Sequence, residues 1–293
     1  MEDILTALAS RLKQKDNSAN KGTNGTLTVA AGSELYRGAA ALASSAALRC
    51  GVGIVRLVSV EKVISSAAAR LPECVFLPTE SENGAMSYRD FARKMPAFSK
   101  SRAVLAGCGM TDCTDTGNII AELIKYGGYQ LIIDADGLNS IKNRPELLKS
   151  AALPPVITPH IGEMARLTGA SADAIKSDRE KTAAEFSRKY NCITVLKDCK
   201  TVISSPEGKL FVCDRPNAGL AKGGSGDVLS GIISSFAAQG YDAFDAAVCG
   251  AALHSLAAES AREKLTEYSM LPSDIVAEIP GVFARIGKTR NYR

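Results

Sequence analysis

Apolar residues along the chain fall into two rhythms. Short, nearly continuous apolar runs at 26–31, 54–58, 103–106, 130–134, 155–158 and 192–197 predict strands. Between them, segments 38–49, 116–125 and 162–168 carry the three-to-four-residue spacing or alanine content of helices. Segments 201–205 and 210–213 predict a hairpin that closes near Glu207 and Gly208. From Gly223 onward the pattern is helical, with Val228, Leu229, Ile232, Ile233 and Phe236 on one face. The alanine-rich stretch 245–261, with Gly250 inside it, should pack close against its neighbours, and a last helix should start with Ser273 or Asp274 as N-cap. The first 15 residues suit a short amphipathic helix. Alternating strands and helices with unbroken apolar strands predict an α/β fold, a mostly parallel sheet covered on both faces. We expect one domain over 1–293, with 1–20 as a helical extension and the polar stretch 79–87 as the most flexible segment.

Composition narrows the chemistry. Hydrophobic residues make up 46% and charged residues 23%, the balance of a water-soluble globular chain. The net charge of +4 is dispersed, which argues against a nucleic-acid partner and suits an anionic small substrate. No apolar run approaches the roughly 20 residues of a membrane span. The N-terminus carries Glu2 and Asp3 and lacks the apolar core of a signal peptide, so the expectation is a cytoplasmic protein with no membrane partner. Eight cysteines without a C-x-x-C pair read as buried free thiols, and two histidines exclude a His-rich metal site.

The most informative stretch is NAGLAKGGSGDVL, residues 217–229. Three glycines and a serine precede an acid where an amphipathic helix begins. A helix N-terminus offers unpaired N–H groups and a positive dipole end, and glycines let that backbone approach a phosphate. Asp227, in the first turn, faces the same place. A carboxylate beside an anion cradle makes sense as the acceptor of a proton from a hydroxyl attacking a phosphoryl group; the alternative is that it caps the helix. Neither the G-x-x-x-x-G-K-[ST] phosphate loop nor a G-x-G-x-x-G after a strand is present.

Gly-Gly-Ser-Gly-Asp at 223–227 resembles the G-x-G-D anion hole of the ribokinase superfamily, and the chain more narrowly resembles the NAD(P)H-hydrate dehydratases. KGTNG at 21–25, AGS at 31–33 followed by GAA at 38–40, DADGLN at 134–139, TPHIGEM at 158–164, and Leu196-Lys197 with TVI at 201–203 are similar to family motifs in the same order, over about residues 20–280. The resemblance implies a ribokinase-like fold and ADP or ATP as phosphoryl donor with Mg²⁺. It also implies dehydration of the S-epimer of hydrated NADH or NADPH through a phosphorylated intermediate, which makes the chain a lyase. Asp227 would be the catalytic base and a substrate contact, with Ala39, Gly109 and His160 as further substrate contacts. Lys197, Asp198, Cys199, Lys200 and Thr201, with Gly224, Ser225 and Gly226, would bind the nucleotide. Asp136 is a candidate for holding Mg²⁺ through water, though it and Asn139 could equally form a turn that caps the next helix. His254, mid-helix among alanine and leucine, reads as structural. The chain departs from the family pattern at Cys108 (usually proline), Thr111 and Asp198 (usually glycine) and Asn20 (often histidine). The family also implies a homo-oligomer, and this length suits a dehydratase relying on a separate epimerase. A small-molecule kinase of the same fold, such as one acting on hydroxyethylthiazole, would use the same anion hole and aspartate. A non-catalytic nucleotide sensor would need the cradle but no acid at 227.

Overall fold

The computed structural model describes residues 3–291; Met1, Glu2, Tyr292 and Arg293 of the expected domain and extension lie outside the described residues. Eleven strands form: β1 (Thr26–Ala30), β2 (Ile54–Val60), β3 (Val75–Thr79), β4 (Ser81–Glu82), β5 (Ala85–Met86), β6 (Ala103–Ala106), β7 (Gln130–Ile133), β8 (Val156–Ile157), β9 (Ile193–Leu196), β10 (Thr201–Ser204) and β11 (Leu210–Cys213). Nine of them make one sheet in the order β11-β10-β9-β8-β7-β6-β1-β2-β3. The pairings from β3 across to β9 are parallel, and β10 and β11 add an antiparallel hairpin at the edge. β1, β6 and β9 are buried at every position, which is why their sequences read as unbroken apolar runs. β3 forms the other edge, where Pro78 is tolerated.

Among the described residues twelve α-helices cover the sheet. α1 (Ile4–Arg11), α2 (Arg37–Arg49), α3 (Glu61–Ala68), α10 (Ser225–Ala238), α11 (Ala243–Ser269) and α12 (Pro272–Asn291) form one layer. α4 (Tyr88–Lys94), α5 (Thr114–Tyr126), α6 (Asp136–Ser140), α7 (Ile161–Thr168), α8 (Ala172–Ser177) and α9 (Arg179–Tyr190) form the other. The doubly covered, mostly parallel α/β sheet expected from the sequence is therefore present.

Several boundaries differ from expectation. Segment 79–87 is an ordered β4–β5 hairpin rather than a flexible loop, because the Glu80 N–H donates to Asp90 Oδ2 at 3.0 Å and Ala85 and Met86 are buried. The N-terminal extension is helical only over Ile4–Arg11, capped by Asp3; beyond it, the Lys13 N–H donates to the Tyr241 hydroxyl at 2.7 Å. α12 starts at Pro272, suited to a first helical position, and Asp274 accepts the Leu271 N–H at 2.7 Å instead of acting as N-cap. α9 escaped the apolar pattern because only Ala183, Phe186 and Ser187 of its residues are buried. As expected, no described helix is long and apolar enough to cross a membrane. All eight cysteines are free; six are buried, Cys113 is half-buried and Cys199 is exposed.

α10 is the pivot of its layer. It is nearly all apolar or small, and Ser235 ties it to α2 by donating to the Ala47 carbonyl at 2.9 Å. A Cβ on Gly231 would lie 2.2 Å from the Ala43 carbonyl oxygen of α2, and one on Gly250 of α11 would lie 2.3 Å from Ile233 of α10. Two backbone-close crossings therefore clamp α10 from both sides. Gly231→Ala or Gly250→Ala should lower unfolding stability by about 1–3 kcal/mol, the usual range for overpacking a tight core. Denaturant unfolding checks this, and an unchanged midpoint in both variants would refute the clamp.

Candidate active site

The parallel strands end on one side of the sheet, and there a cavity of about 800 Å³ opens beneath the start of α10 and the middle of α11. This is the edge at which open α/β sheets hold ligands. Gly224 precedes α10 with φ +102°, a conformation closed to most side chains, and a Cβ there would meet Leu42 at 2.6 Å. No side chain caps this helix, so its first N–H groups have no side-chain partner, and Gly224, Ser225 and Gly226 line the cavity. The Asp227 carboxylate also lines the cavity and is not spent on capping. The Gly-rich turn and its acid are thus placed together, as the sequence pattern implied.

Asp134, at the end of β7, is the buried charge around which the site is built. Its side chain is 1% exposed and accepts from Lys197 Nζ at 2.8 Å, Ser230 Oγ at 2.5 Å and its neighbour's N–H at 2.9 Å. Burial opposes its ionisation, but the Lys197 charge and these hydrogen bonds outweigh it and hold the carboxyl low. Lys197 in turn is held charged against its own burial by Asp134 and Glu163. The chain leaves β7 through Ala135 at φ +48°, a strained conformation for a residue with a Cβ, and this bend sits in the cavity wall. Asp227 lies close by: oxygens of Asp134 and Asp227 and the sulfur of Cys108 are all within 4.8 Å of one another. Burial first, then the Asp134 charge, push Asp227 up to about 6, against the Cys108 hydrogen bond and the Lys197 charge. Two neighbouring carboxylates are thereby split, one fixed as an anion and one poised near neutrality.

His160 is the N-cap of α7. Its Nδ1 accepts the Gly162 N–H at 2.9 Å while Glu163 accepts the His160 N–H at 2.8 Å. With Nδ1 so used, the proton of the neutral ring belongs on Nε2, beside the cavity. Burial, then the Lys197 and Arg166 charges, keep the ring neutral.

The remaining sequence-derived candidates divide. Asp198, Cys199 and Thr201 line the same cavity as Lys197, whereas Lys200 points outward and pairs with Asp214 at 2.5 Å. Asp198 binds Arg179 at 2.5 Å and needs no positive φ, so the aspartate in place of glycine leaves the backbone unstrained. Thr111 does the opposite and keeps φ +74°, with its N–H donating to Asp136 Oδ2 at 2.8 Å. Asp136 thus holds the loop after β6, and Asn139 accepts from Arg166 Nε at 3.0 Å. Ala39 and Gly109 are half-buried and touch each other, since a Cβ on Gly109 would lie 2.9 Å from that of Ala39. They form a wall outside the cavity, and Cys108, next to Gly109, carries that wall to Asp227. Asn20 closes the turn before β1, accepting from Gly22 and Thr23, at the opposite end of the sheet.

Four contributors were not read from the sequence as site residues: Asp134, Ser230, Cys108 and His254. His254 was expected to be structural; it lies in the cavity wall, and burial pushes it down to about 4. Its Nε2 and Ser225 Oγ are buried without a hydrogen-bond partner among the described residues. Buried polar atoms normally have partners, so these two fit a ligand that supplies them.

The model for the family described as NAD(P)H-hydrate dehydratase matches residues 27–281. The chain is similar to the bifunctional NAD(P)H-hydrate repair enzyme Nnr of Moorella thermoacetica, 32% identical over 97% of this chain and 54% of that protein. It thus spans about half the length of that relative. It is also similar to the ADP-dependent (S)-NAD(P)H-hydrate dehydratase of Xanthomonas campestris, 30% identical over 97% of both chains. Among solved structures, the ADP/ATP-dependent NAD(P)H-hydrate dehydratase of Bacillus subtilis, co-crystallised with ATP and Mg²⁺, superposes with a TM-score of 0.82 at 26% identity, over 95% of this chain and 96% of that one. A ribokinase-like superfamily protein of Enterococcus faecalis shares the fold, at a TM-score of 0.83 and 23% identity over 96% and 94% of the two chains.

The split between the carboxylates has a thermodynamic sign. Burial, then the Asp134 charge, push Asp227 in the folded protein up to about 6 from the ordinary aspartate value of 3.8, so the native state holds the extra proton between those values. Stability from this group falls as pH rises through that window. Asp227→Asn should therefore raise stability at neutral pH by roughly 3 kcal/mol and flatten its dependence between about pH 4 and 6. Lys197→Met should instead cost about 3 kcal/mol by leaving Asp134 unpaired. Urea unfolding across pH measures both, and a destabilised Asp227→Asn protein would contradict the assignment.

Proposed function

The chain belongs to the NAD(P)H-hydrate dehydratase family, and we propose that it uses ADP or ATP to dehydrate the S-epimer of hydrated NADH or NADPH through a phosphorylated intermediate. The observation that carries this reading is the poised Asp227 carboxylate at the mouth of the uncapped, glycine-lined start of α10. An anion site alone has no use for an acid there; a phosphoryl transfer to a hydroxyl has.

In this mechanism Asp227 accepts the proton of the substrate hydroxyl as its oxygen bonds to the terminal phosphorus and the bond to the nucleotide's bridging oxygen breaks. The N–H groups at the start of α10 and the Lys197 ammonium stabilise the charge on the phosphoryl oxygens. The ring nitrogen then drives phosphate from the carbon, a proton leaves the adjacent ring carbon, and the dihydronicotinamide is restored. Ser225 Oγ and His254 Nε2 supply unfilled polar positions for the nucleotide. The wall of Ala39 and Gly109, with His160 on the other flank, is the proposed substrate side. Mg²⁺ carried by nucleotide phosphates would add charge neutralisation. Asp136, the residue the family pattern offers for that ion, is engaged by the Thr111 N–H at 2.8 Å and is not among the residues that line the cavity. The reading extends to a homo-oligomer and to a separate epimerase that supplies the S-epimer.

Asp227→Asn should lose at least about 10²-fold in kcat while keeping nucleotide affinity. In the wild type, kcat/KM should fall below about pH 6 as Asp227 takes up its proton. Steady-state kinetics with hydrated NADH and calorimetric nucleotide binding check the two halves. Near-wild-type turnover in the variant would overturn the proposal.

A further inference from the structure

Asp134 and Asp227 are two carboxylates within 4.8 Å, a repulsive arrangement unless donors stand between them. Asp134 has Lys197, Ser230 and the Ala135 N–H close by, at 2.8, 2.5 and 2.9 Å. For Asp227 the nearby donor is Cys108, whose sulfur lies within 4.8 Å of an Asp227 oxygen and favours the ionised form of that carboxyl. The thiol donates to Asp134 Oδ2 at 3.8 Å, so the one sulfur stands against both acids. The residue is fully buried, and its backbone is pinned because its carbonyl accepts the Gly32 N–H at 2.8 Å. Burial and the two carboxylates push the thiol well above its ordinary value, which keeps it protonated and able to donate.

We propose that Cys108 is a positioning residue of this reaction: its buried thiol donates into the gap between Asp134 and Asp227 and holds the Asp227 carboxylate toward the cavity. The inference rests on the dehydratase reading above for its kinetic consequence, but not for its structural one. The charged and titratable groups facing Asp227 are Asp134 and Asp136 after β7, Cys108 after β6, and Lys197 after β9. From α11, His254 reaches Ser225 in the same turn and stays neutral. The near neighbours at Gly224 from α2 and α12 are Leu42 and Pro272, which carry no charge. Removing the thiol therefore leaves Asp134 acting on Asp227 with its local donor gone.

The test compares wild type, Cys108→Ala and Cys108→Ser. The Asp227 ionisation midpoint is read directly by NMR of isotope-labelled aspartate carboxyl carbons, assigned with Asp227→Asn, and kcat and KM are followed across pH with hydrated NADH and ADP or ATP. Cys108→Ala should raise the midpoint by about half a unit to one unit. It should also lower kcat about three- to tenfold on the acid side of the profile, with little change near about pH 8. Cys108→Ser, which keeps a donor, should return both toward wild type. An unchanged midpoint in Cys108→Ala, or a Cys108→Ser protein displaced as far as the alanine variant, would overturn the proposal; a merely structural cysteine would change stability alone. Should wild type not dehydrate the substrate, the functional reading fails while the NMR titration still decides the role of Cys108.

Discussion

The buried ion pair between Asp134 and Lys197 is the constraint on which the site depends. It joins the end of β7 to the end of β9 across β8, and places a fixed negative and a fixed positive charge under the glycine turn. A Cβ on Gly226 would lie 3.3 Å from Lys197 Nζ, so the ammonium sits directly against the turn. The pair explains both halves of the chemistry. Burial and then its negative member raise Asp227 toward neutrality, where a base accepts and returns a proton with little driving force lost. Its positive member stands where a phosphoryl group would need charge.

That arrangement also shows why the rest of the fold is built as it is. A buried pair is costly to form and costlier to break, so the elements carrying it must not shift. Gly231 and Gly250 lock α10 against α2 and α11, and Ser230 on α10 ties the helix to Asp134 at 2.5 Å. The bend at Ala135 and the positive φ of Thr111 are local strain borne by loops around the same point.

Much of this was legible in the amino-acid sequence, for identifiable reasons. Strands buried on both faces leave unbroken apolar runs, and a glycine-rich turn before an amphipathic helix leaves its own mark, so the sheet and the Asp227 turn could be read directly. Asp134 was hidden because it looks like any strand-end acid; its importance comes from the sheet order that sets β7 beside β6 and, across β8, within reach of the end of β9. Cys108 and His254 were hidden for the same reason, since their partners lie on other elements. The hairpin at 79–87 was masked by its polarity, because the Asp90 contact that orders it is long-range in effect and silent in composition. The departures from the family pattern were visible as letters but not in their consequences: aspartate at 198 is absorbed by Arg179, threonine at 111 by strain, and cysteine at 108 becomes a donor between two acids.

The central claim is that a poised carboxylate moves a proton while phosphate leaves the substrate it has just joined. The most direct measurement follows recovery of reduced-nicotinamide absorbance and release of inorganic phosphate together, from hydrated NADH with ADP or ATP and Mg²⁺. The account predicts that one phosphate appears for each dihydronicotinamide restored, and none without hydrate. Accumulation of a stable phosphorylated product, or phosphate release that ignores the hydrate, would contradict it.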